Sequence, residues 1–413
     1  MADAFATLNG LPRLEGWRDT MLGLPLRKGG LGLRKLDWIA EAAFVGSTLQ
    51  CAHHVQITVG ISLVSTSDPA AEQFRDAVTT LANRFSVSVW EVLEIQAHEA
   101  CAAPVKKAQK ALSDAIMDSI TLDWRQRLPN LARAVVDSIA TEGNQPGAND
   151  WLLAVPKTRA FTIPDTSYRL LLQTRLRLRL VPDGSHCAYF IRNTQRTCGK
   201  LLTADVDHCH SCCKAHVLAR HHALRDNWAK IYKEVGANAV HTEQPVPELG
   251  GESSVVADIR VQEGLSIPLR YLDVVVAHPI DLSSGTWVGA PAGSAARTAE
   301  RTKFRHYRPA LTGHSVLLTP LAYETYGRWG KHAALELRRL ARVRAQRADA
   351  IASVDPEAVY RGALLRWRRQ LSVTLQLGNA HVLASAAGMK PLDGAQAACD
   401  ASNAAGLILE RGF

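Results

Sequence analysis

No run of eighteen or more apolar residues occurs in the 413-residue chain, which argues against a membrane-spanning helix. The N-terminus MADAFATLNG lacks the basic and apolar regions of a secretory signal, so an intracellular, soluble chain is expected. No internal repeat is visible. The one glycine-rich stretch, GGLGL at 29–33, is not followed by GK[ST], and no strand clearly precedes it, so it is a poor phosphate loop. It reads instead as a turn leading into an amphipathic helix.

What is present is basic. Lys and Arg number 48 against 39 Asp and Glu, giving a net charge of +9 and a pI near 9.2, so a polyanion is the first partner to consider. At this length, and with 47% hydrophobic residues, two or three domains can each bury a core. Five of the eight cysteines, Cys187, Cys198, Cys209, Cys212 and Cys213, crowd one stretch beside His208, His210 and His216. In an intracellular chain such clustering favours a metal over disulfides.

The expected fold is α+β. A helical domain over 1–180 contains helices near 37–52, 69–85 and 104–120 and an exposed connection, TEGNQPGAND, at 141–150. Within it, TRLRLRLVP at 174–182 alternates Arg and Leu, which fits a half-buried strand or the end of the preceding helix; the periodicity favours the strand, with a solvated basic face. A zinc-binding segment follows over 181–216. An αβ core with a mixed sheet occupies 217–350: a helix over 220–236 closed by Gly236, two strands within 255–279, a helix from Ser294 stopped by Pro309, a strand through SVLLTPLAYET, and a basic helix from Lys331. Residues 351–413 read as a C-terminal helical tail, basic at first and weakly patterned at the end.

The stretch VVADIRVQEGLSIPLRYLDVVVAHP, 255–279, places one aspartate in each of two apolar runs. Folded as a hairpin about Leu265-Ser266, it pairs Asp258 with Asp273. Opposed carboxylates repel, and Asp273 precedes a valine run typical of a strand buried on both faces, so compensation is required. A shared divalent cation supplies it, and hard oxygen ligands suit magnesium or manganese. On the helix that follows, Ala295, Ala299, Lys303 and Tyr307 recur every four residues, which turns Lys303 toward packed structure and the metal site. Glu243 and Glu248 are candidates for a further metal or water ligand, and Glu324 is a more structural acid.

In CGKLLTADVDHCHSCC, the order Cys198, His208, Cys212 or Cys213 has the spacing of a tetrahedral zinc site. Gln195 stands where a C-x-x-C pair would place a cysteine before Cys198, so the fourth ligand comes from Cys187, His210, His216 or Cys209. The working set is Cys187, Cys198, His208 and Cys212, a closed and therefore structural site.

At these residues the sequence resembles the region downstream of the reverse transcriptase in non-LTR retrotransposons that carry a restriction-like endonuclease of the PD-(D/E)XK superfamily. The resemblance runs through LPLRKGGLGLRKLDWIAEAAFVGS, Cys198-Gly199, Asp207-His208, Cys212, Arg220-His221, Ala257-Asp258, Asp273, Lys303 and PLAYETYGRWG. It implies a nuclear endodeoxyribonuclease in which Asp258 and Asp273 hold magnesium, the Val274 carbonyl completes its shell, and Lys303, with Glu243 in support, assists hydrolysis. The nick would prime reverse transcription. Arg220, His221, Arg338, Arg339 and Arg342 are then the expected nucleic-acid contacts, with DNA, the element's RNA and a second copy of the chain as partners. Two departures stand out: alanine replaces proline at position 257, and no Y-x-D-D polymerase signature occurs. A zinc-dependent binding protein without catalysis, or an inactive relic, is the alternative.

Overall fold

The computed structural model describes residues 1–65, 67–141, 147–191, 194–202, 207–246, 256–280, 291–311, 315–349 and 355–389. It combines helices with a small ribbon and a four-stranded mixed sheet, divided into two units. The first comprises Met1–Leu8 and Pro12–Pro129, and the second Asn9–Leu11 and Asn130–Phe413. No described helix is long and apolar enough to cross a membrane.

The first unit is helical: α1 (Ala2–Leu8), α2 (Trp17–Gly23), α3 (Leu36–Val59), α4 (Glu72–Phe85), α5 (Val89–Leu93) and α6 (Ala108–Gln126). Val45 and Leu49 of α3 and Leu112 and Ile116 of α6 are wholly buried. The glycine stretch is a turn. Gly29 and Gly32 take φ of 90° and 76°, conformations glycine adopts without cost, and a Cβ on Gly30 would overlap the Leu24 carbonyl. The Leu31 and Leu33 amides donate to the carbonyls of Met21 and Leu22 at 3.0 and 2.9 Å.

The second unit begins with α7 (Asn130–Ile139) and α8 (Asp165–Arg175), followed by the ribbon β1 (Phe190–Ile191) and β2 (Arg196–Thr197) and the short α9 (Cys209–Cys212). Then come α10 (Lys214–Val235), β3 (Ala239–Pro245), β4 (Val256–Gln262), β5 (Leu269–Ala277), α11 (Ser294–Leu311), β6 (Val316–Glu324), α12 (Lys331–Asp349) and α13 (Pro356–Ala386). The sheet order is β3-β4-β5-β6, antiparallel except for the parallel β5–β6 pair, whose crossover is α11. Ile259 pairs with Leu272 and Val261 with Arg270, the register of a hairpin centred on Leu265-Ser266.

One face of the sheet is covered by α10, α12 and α13, which bring Trp228, Tyr232, Leu337, Leu340, Trp367 and Leu371 onto Ile259, Leu272, Val274 and Tyr323. On the opposite face, Tyr307 of α11 packs with Ala257 and Tyr271. Both faces of β5 are therefore occupied, which is why its sequence runs apolar rather than alternating. Gly236 ends α10 at φ 85°, as its position predicts. Pro309 does not stop α11, which continues to Leu311.

Residues 130–180 belong with the sheet unit rather than with the N-terminal helices, because their polar groups are satisfied there. Arg328 donates to the carbonyls of Asp137, Ser138 and Ala140, and Arg368 holds Asp150 at 2.9 and 3.0 Å. TRLRLRLVP is not a strand. It is the end of α8 and an irregular exit in which Arg175 and Arg177 turn inward beside Leu176 and Leu178, all buried. Arg175 donates to Asn149 Oδ1 at 2.7 Å, and Arg177, at φ 51°, holds both oxygens of Asp207. Nor is the described stretch 355–389 a tail. Asp355 caps the Glu357 amide of α13, and this 31-residue helix supplies Trp367, Leu371 and Leu375 to the main core and Val382, Leu383 and Ala386 to the cysteine-rich cluster.

Behind the hairpin, Arg339 spans Glu263 at 2.7 and 2.8 Å and Glu336 at 2.6 to 3.2 Å, while Arg270 lies within 3.6 Å of both acids. Burial pushes the Glu336 carboxyl up, but its bonds from Arg339 and the charges of Arg270 and Arg339 outweigh this and hold it below the usual range. A depressed carboxylate adds stability above its unfolded pKa and loses it as pH falls through the folded value. Glu336→Gln is therefore expected to cost about 1–3 kcal/mol at neutral pH. The gap to wild type should close in thermal melts below about pH 4; a gap unchanged across that range would sink the assignment.

Candidate active site and metal centre

The hairpin register sets Asp258 and Asp273 opposite one another one position beyond the last paired residues of the β4–β5 ladder, Ile259 and Leu272. The Asp258 carboxylate reaches across the strands, accepting from the Val274 amide at 2.6 Å and bonding His221 Nε2 at 3.0 Å. Asp273 is buried, 4% exposed. Tyr307 donates to its Oδ2 at 2.7 Å, and Lys303 Nζ lies 2.8 Å from Oδ1. That last contact is an ion pair at hydrogen-bond length. The four-residue spacing of Lys303 and Tyr307 brings both to the same carboxylate from one face of α11.

The two acids are held unequally. For Asp258, burial acts upward, but the His221 bond and charge, the Val274 amide and the Lys303 charge prevail and keep it below the usual range. For Asp273, burial and the facing charge of Asp258 outweigh Lys303 and Tyr307 and push it up. Burial and the same carboxylates push the Tyr307 phenol far up, so it remains a donor.

Other expected residues lie elsewhere or do other work. Glu243 stands opposite Asp258 in the β3–β4 ladder at φ 52°, where the pairing skips one position, but its side chain turns to Arg225, with His222 at 3.4 Å. It does not join the aspartates: among the described residues, no third Asp, Glu, His or Cys ligand atom lies mutually within 4.8 Å of that pair. Glu248 lies outside the described residues. Glu324 is buried, accepting from Ser138 Oγ at 2.6 Å, and is structural.

The nucleic-acid contacts are corrected in three places. Arg220 is 2% exposed and donates to Asn379 Oδ1 at 2.7 Å, so it ties α10 to α13. His221 is consumed by Asp258, and Arg339 by its two glutamates. Arg338 is half-buried and Arg342 exposed, leaving Arg342 open to a ligand. Sequence reading missed His221 and Tyr307 as partners of the acids, although the alanine stripe that continues to Tyr307 was the available signal. It also missed Glu300, buried on α11, whose Oε1 accepts from the His332 amide at 2.9 Å and so anchors α11 against the start of α12.

The metal centre is built by a ribbon and one helical turn. Cys187 and Cys198 flank the β1–β2 ribbon, where the Cys198 amide donates to the Tyr189 carbonyl at 2.8 Å and Gly199 turns at φ 63°. His208 and Cys212 are one turn apart, the Cys212 amide donating to the His208 carbonyl at 3.3 Å. The ligand atoms of Cys187, Cys198, His208 and Cys212 all lie within 4.8 Å of one another. Cys187 and Cys212 sulfurs are 3.5 Å apart and Cys198 Sγ is 3.2 Å from His208 Nε2. Tetrahedral zinc with sulfur at 2.3 Å requires ligand separations of about 3.7 Å, so a small contraction is relieved by the ion. This Cys3His group can hold a metal such as zinc. Cys209 and Cys213 are buried against Val382, Leu383 and Ala386, and burial, with neighbouring thiols, pushes both up, so they pack as thiols.

Of the two other alternative ligands, His216 packs edge-on against Tyr189 with ring centroids 6.3 Å apart, and His210 stacks on His278 with ring centroids 4.7 Å apart. His278 in turn bonds Thr325 Oγ1 at 2.7 Å and faces Asp207 at 3.3 Å. These contacts fasten the metal segment to the ends of β5 and β6. No protein-family profile matches the sequence, and no curated protein matches it either.

Proposed function

We propose that the second unit is a metal-dependent endonuclease that nicks DNA, held together by a structural zinc site. The observation that carries the reading is Lys303, delivered by the crossover helix to 2.8 Å from Asp273, which the hairpin sets opposite Asp258. The donor set fits a hard cation: two carboxylates facing one another across the hairpin. Magnesium or manganese bound there would polarise the scissile phosphate and acidify water. Asp258 and Asp273 would hold the ion. The Lys303 ammonium, half-buried beside them, would orient the water and neutralise charge developing on phosphate oxygens. Water's oxygen joins phosphorus, the bond to the 3′-oxygen breaks, and that oxygen departs as a 3′-hydroxyl. Such an end is a primer, which accords with a module of a retrotransposon acting in the nucleus on DNA, with element RNA and a second copy of the chain as further partners.

One observation favours the second reading, a zinc-dependent nucleic-acid-binding protein without catalysis. His221 and Lys303 already satisfy both carboxylates, as in a site that serves only structure. Incubating the full chain with supercoiled plasmid separates the two. Relaxed circles are expected with magnesium and none with EDTA. Plasmid that stays supercoiled in magnesium and manganese alike refutes the nuclease and leaves the binding protein.

A further inference from the structure

The outward side of α11 has no place in the chemistry above. Ala295, Ala296, Glu300 and Tyr307 form its buried side, whereas Arg297, Arg301, Arg305 and Arg308 are exposed along the other. Their spacing of four, four and three residues aligns them in one stripe. Successive arginines rise about 6 Å, and the whole stripe runs about 16 Å along the helix. The only carboxylate on α11 is Glu300, turned inward to the amide of His332.

Many other arginines in this unit are matched to acids. Arg177 meets Asp207, Arg225 meets Glu243, Arg339 meets Glu263 and Glu336, Arg344 and Arg366 share Glu234, and Arg368 meets Asp150. Among the described residues, no carboxylate lies within ion-pair distance of Arg301 or Arg305, and Arg297 reaches only Ser294 Oγ at 3.1 Å. A planar guanidinium without an acid is ready for bidentate contact with phosphate. The same rigid helix carries Lys303 to Asp273, so the stripe stands in fixed register with the paired carboxylates.

We propose that Arg297, Arg301 and Arg305, continued by Arg308, form a track for the sugar–phosphate backbone of a nucleic-acid duplex. This rests on the nucleic-acid reading above and deepens it. Because the stripe faces away from the sheet, it grips backbone flanking the scissile position and supplies affinity without sequence choice.

The test is fluorescence anisotropy of the full chain on a short labelled DNA duplex and an RNA duplex of equal length, in EDTA, across roughly 50 to 200 mM salt. Arg297→Gln, Arg301→Gln and Arg305→Gln are combined in one variant. The control combines Arg84→Gln, Lys110→Gln and Arg361→Gln, exposed bases of equal total charge. Each lost phosphate contact lowers the slope of log affinity against log salt by about 0.9, so a fall of about 2 to 3 is expected for the stripe variant and little for the control. Unchanged thermal melting in both variants verifies folding. Equal slopes for the two variants, or a loss confined to one kind of duplex, overturns the track. The plasmid assay is read separately: a chain that never nicks but shows the slope loss keeps the track and loses the nuclease, and the reverse pattern does the opposite.

Discussion

Removing metal from the Cys187, Cys198, His208 and Cys212 group is expected to lower the melting temperature of the second unit by at least 10 °C or so, at about 2–4 °C per kcal/mol for a unit of this size. Structural zinc in small finger peptides is worth about 10–16 kcal/mol, because the ion binds the folded ligands and hardly the unfolded ones. A third of that, about 3–5 kcal/mol, corresponds to about 7–21 °C, which brackets the expected shift. The site has the geometry to realise it: four ligand atoms within 4.8 Å, supplied by a ribbon only two residues per strand long and one short helical turn. Cys212→Ala should lose the ion and melt low with or without chelator. Cys213→Ala, altering a neighbour that packs rather than ligates, should keep one zinc per chain and still respond to chelator. Mass spectrometry under non-denaturing conditions reads the zinc content directly. A wild-type chain that carries no zinc and melts alike in chelator rules the centre out.

Asp273→Asn is expected to reduce magnesium-dependent nicking by about three orders of magnitude, since a lost metal ligand forfeits several kcal/mol of charge stabilisation in the transition state. The amide keeps the side chain's shape and can still bond Tyr307, so the melting temperature should shift little. Tyr307→Phe is the more discriminating change. It removes one hydrogen bond to a charged group, worth about 1.5–3 kcal/mol, while leaving every proposed ligand in place. A purely structural tyrosine would alter stability alone. A positioning tyrosine lowers turnover about tenfold to a hundredfold, with DNA affinity in EDTA unchanged. If Asp273→Asn nicks as fast as wild type, the carboxylate pair is not the site.

The pairing of Asp258 with Asp273 was legible because a hairpin with Gly264 and Pro268 near its turn has few registers, and the valine run required one buried strand. The cysteine spacing likewise reduced the ligands to a short choice, from which Cys187 emerges because the ribbon turns it toward Cys198. What was not legible concerns arginine. Alternating Arg175, Arg177 and Arg179 look like a solvated strand edge, yet two of the three are buried, and a sequence does not disclose that Asn149 and Asp207 lie waiting inside. Arg220 and Arg339 misled in the same way. A basic residue declares its charge but not whether a distant acid or amide has already taken it. The domain boundary was missed for a related reason: residues 130–180 read as helical like those before them, and only the long-range bonds of Arg328 and Arg368 reveal which unit they serve.

At about 1.5 Å per residue, α13 extends about 46 Å, and its two halves belong to two different cores. From Ala363 through Leu375 it lies under the sheet; at its end Val382 and Ala386 lie under the cysteines, and the Ala386 carbonyl accepts from the Ala188 amide at 2.9 Å. A rod cannot fray in its middle without costing both ends their packing. The cysteine-rich segment therefore has no free energy of unfolding that is private to it: an ion held there would work as a fastener at one end of a beam whose other part braces the strands that carry Asp258 and Asp273.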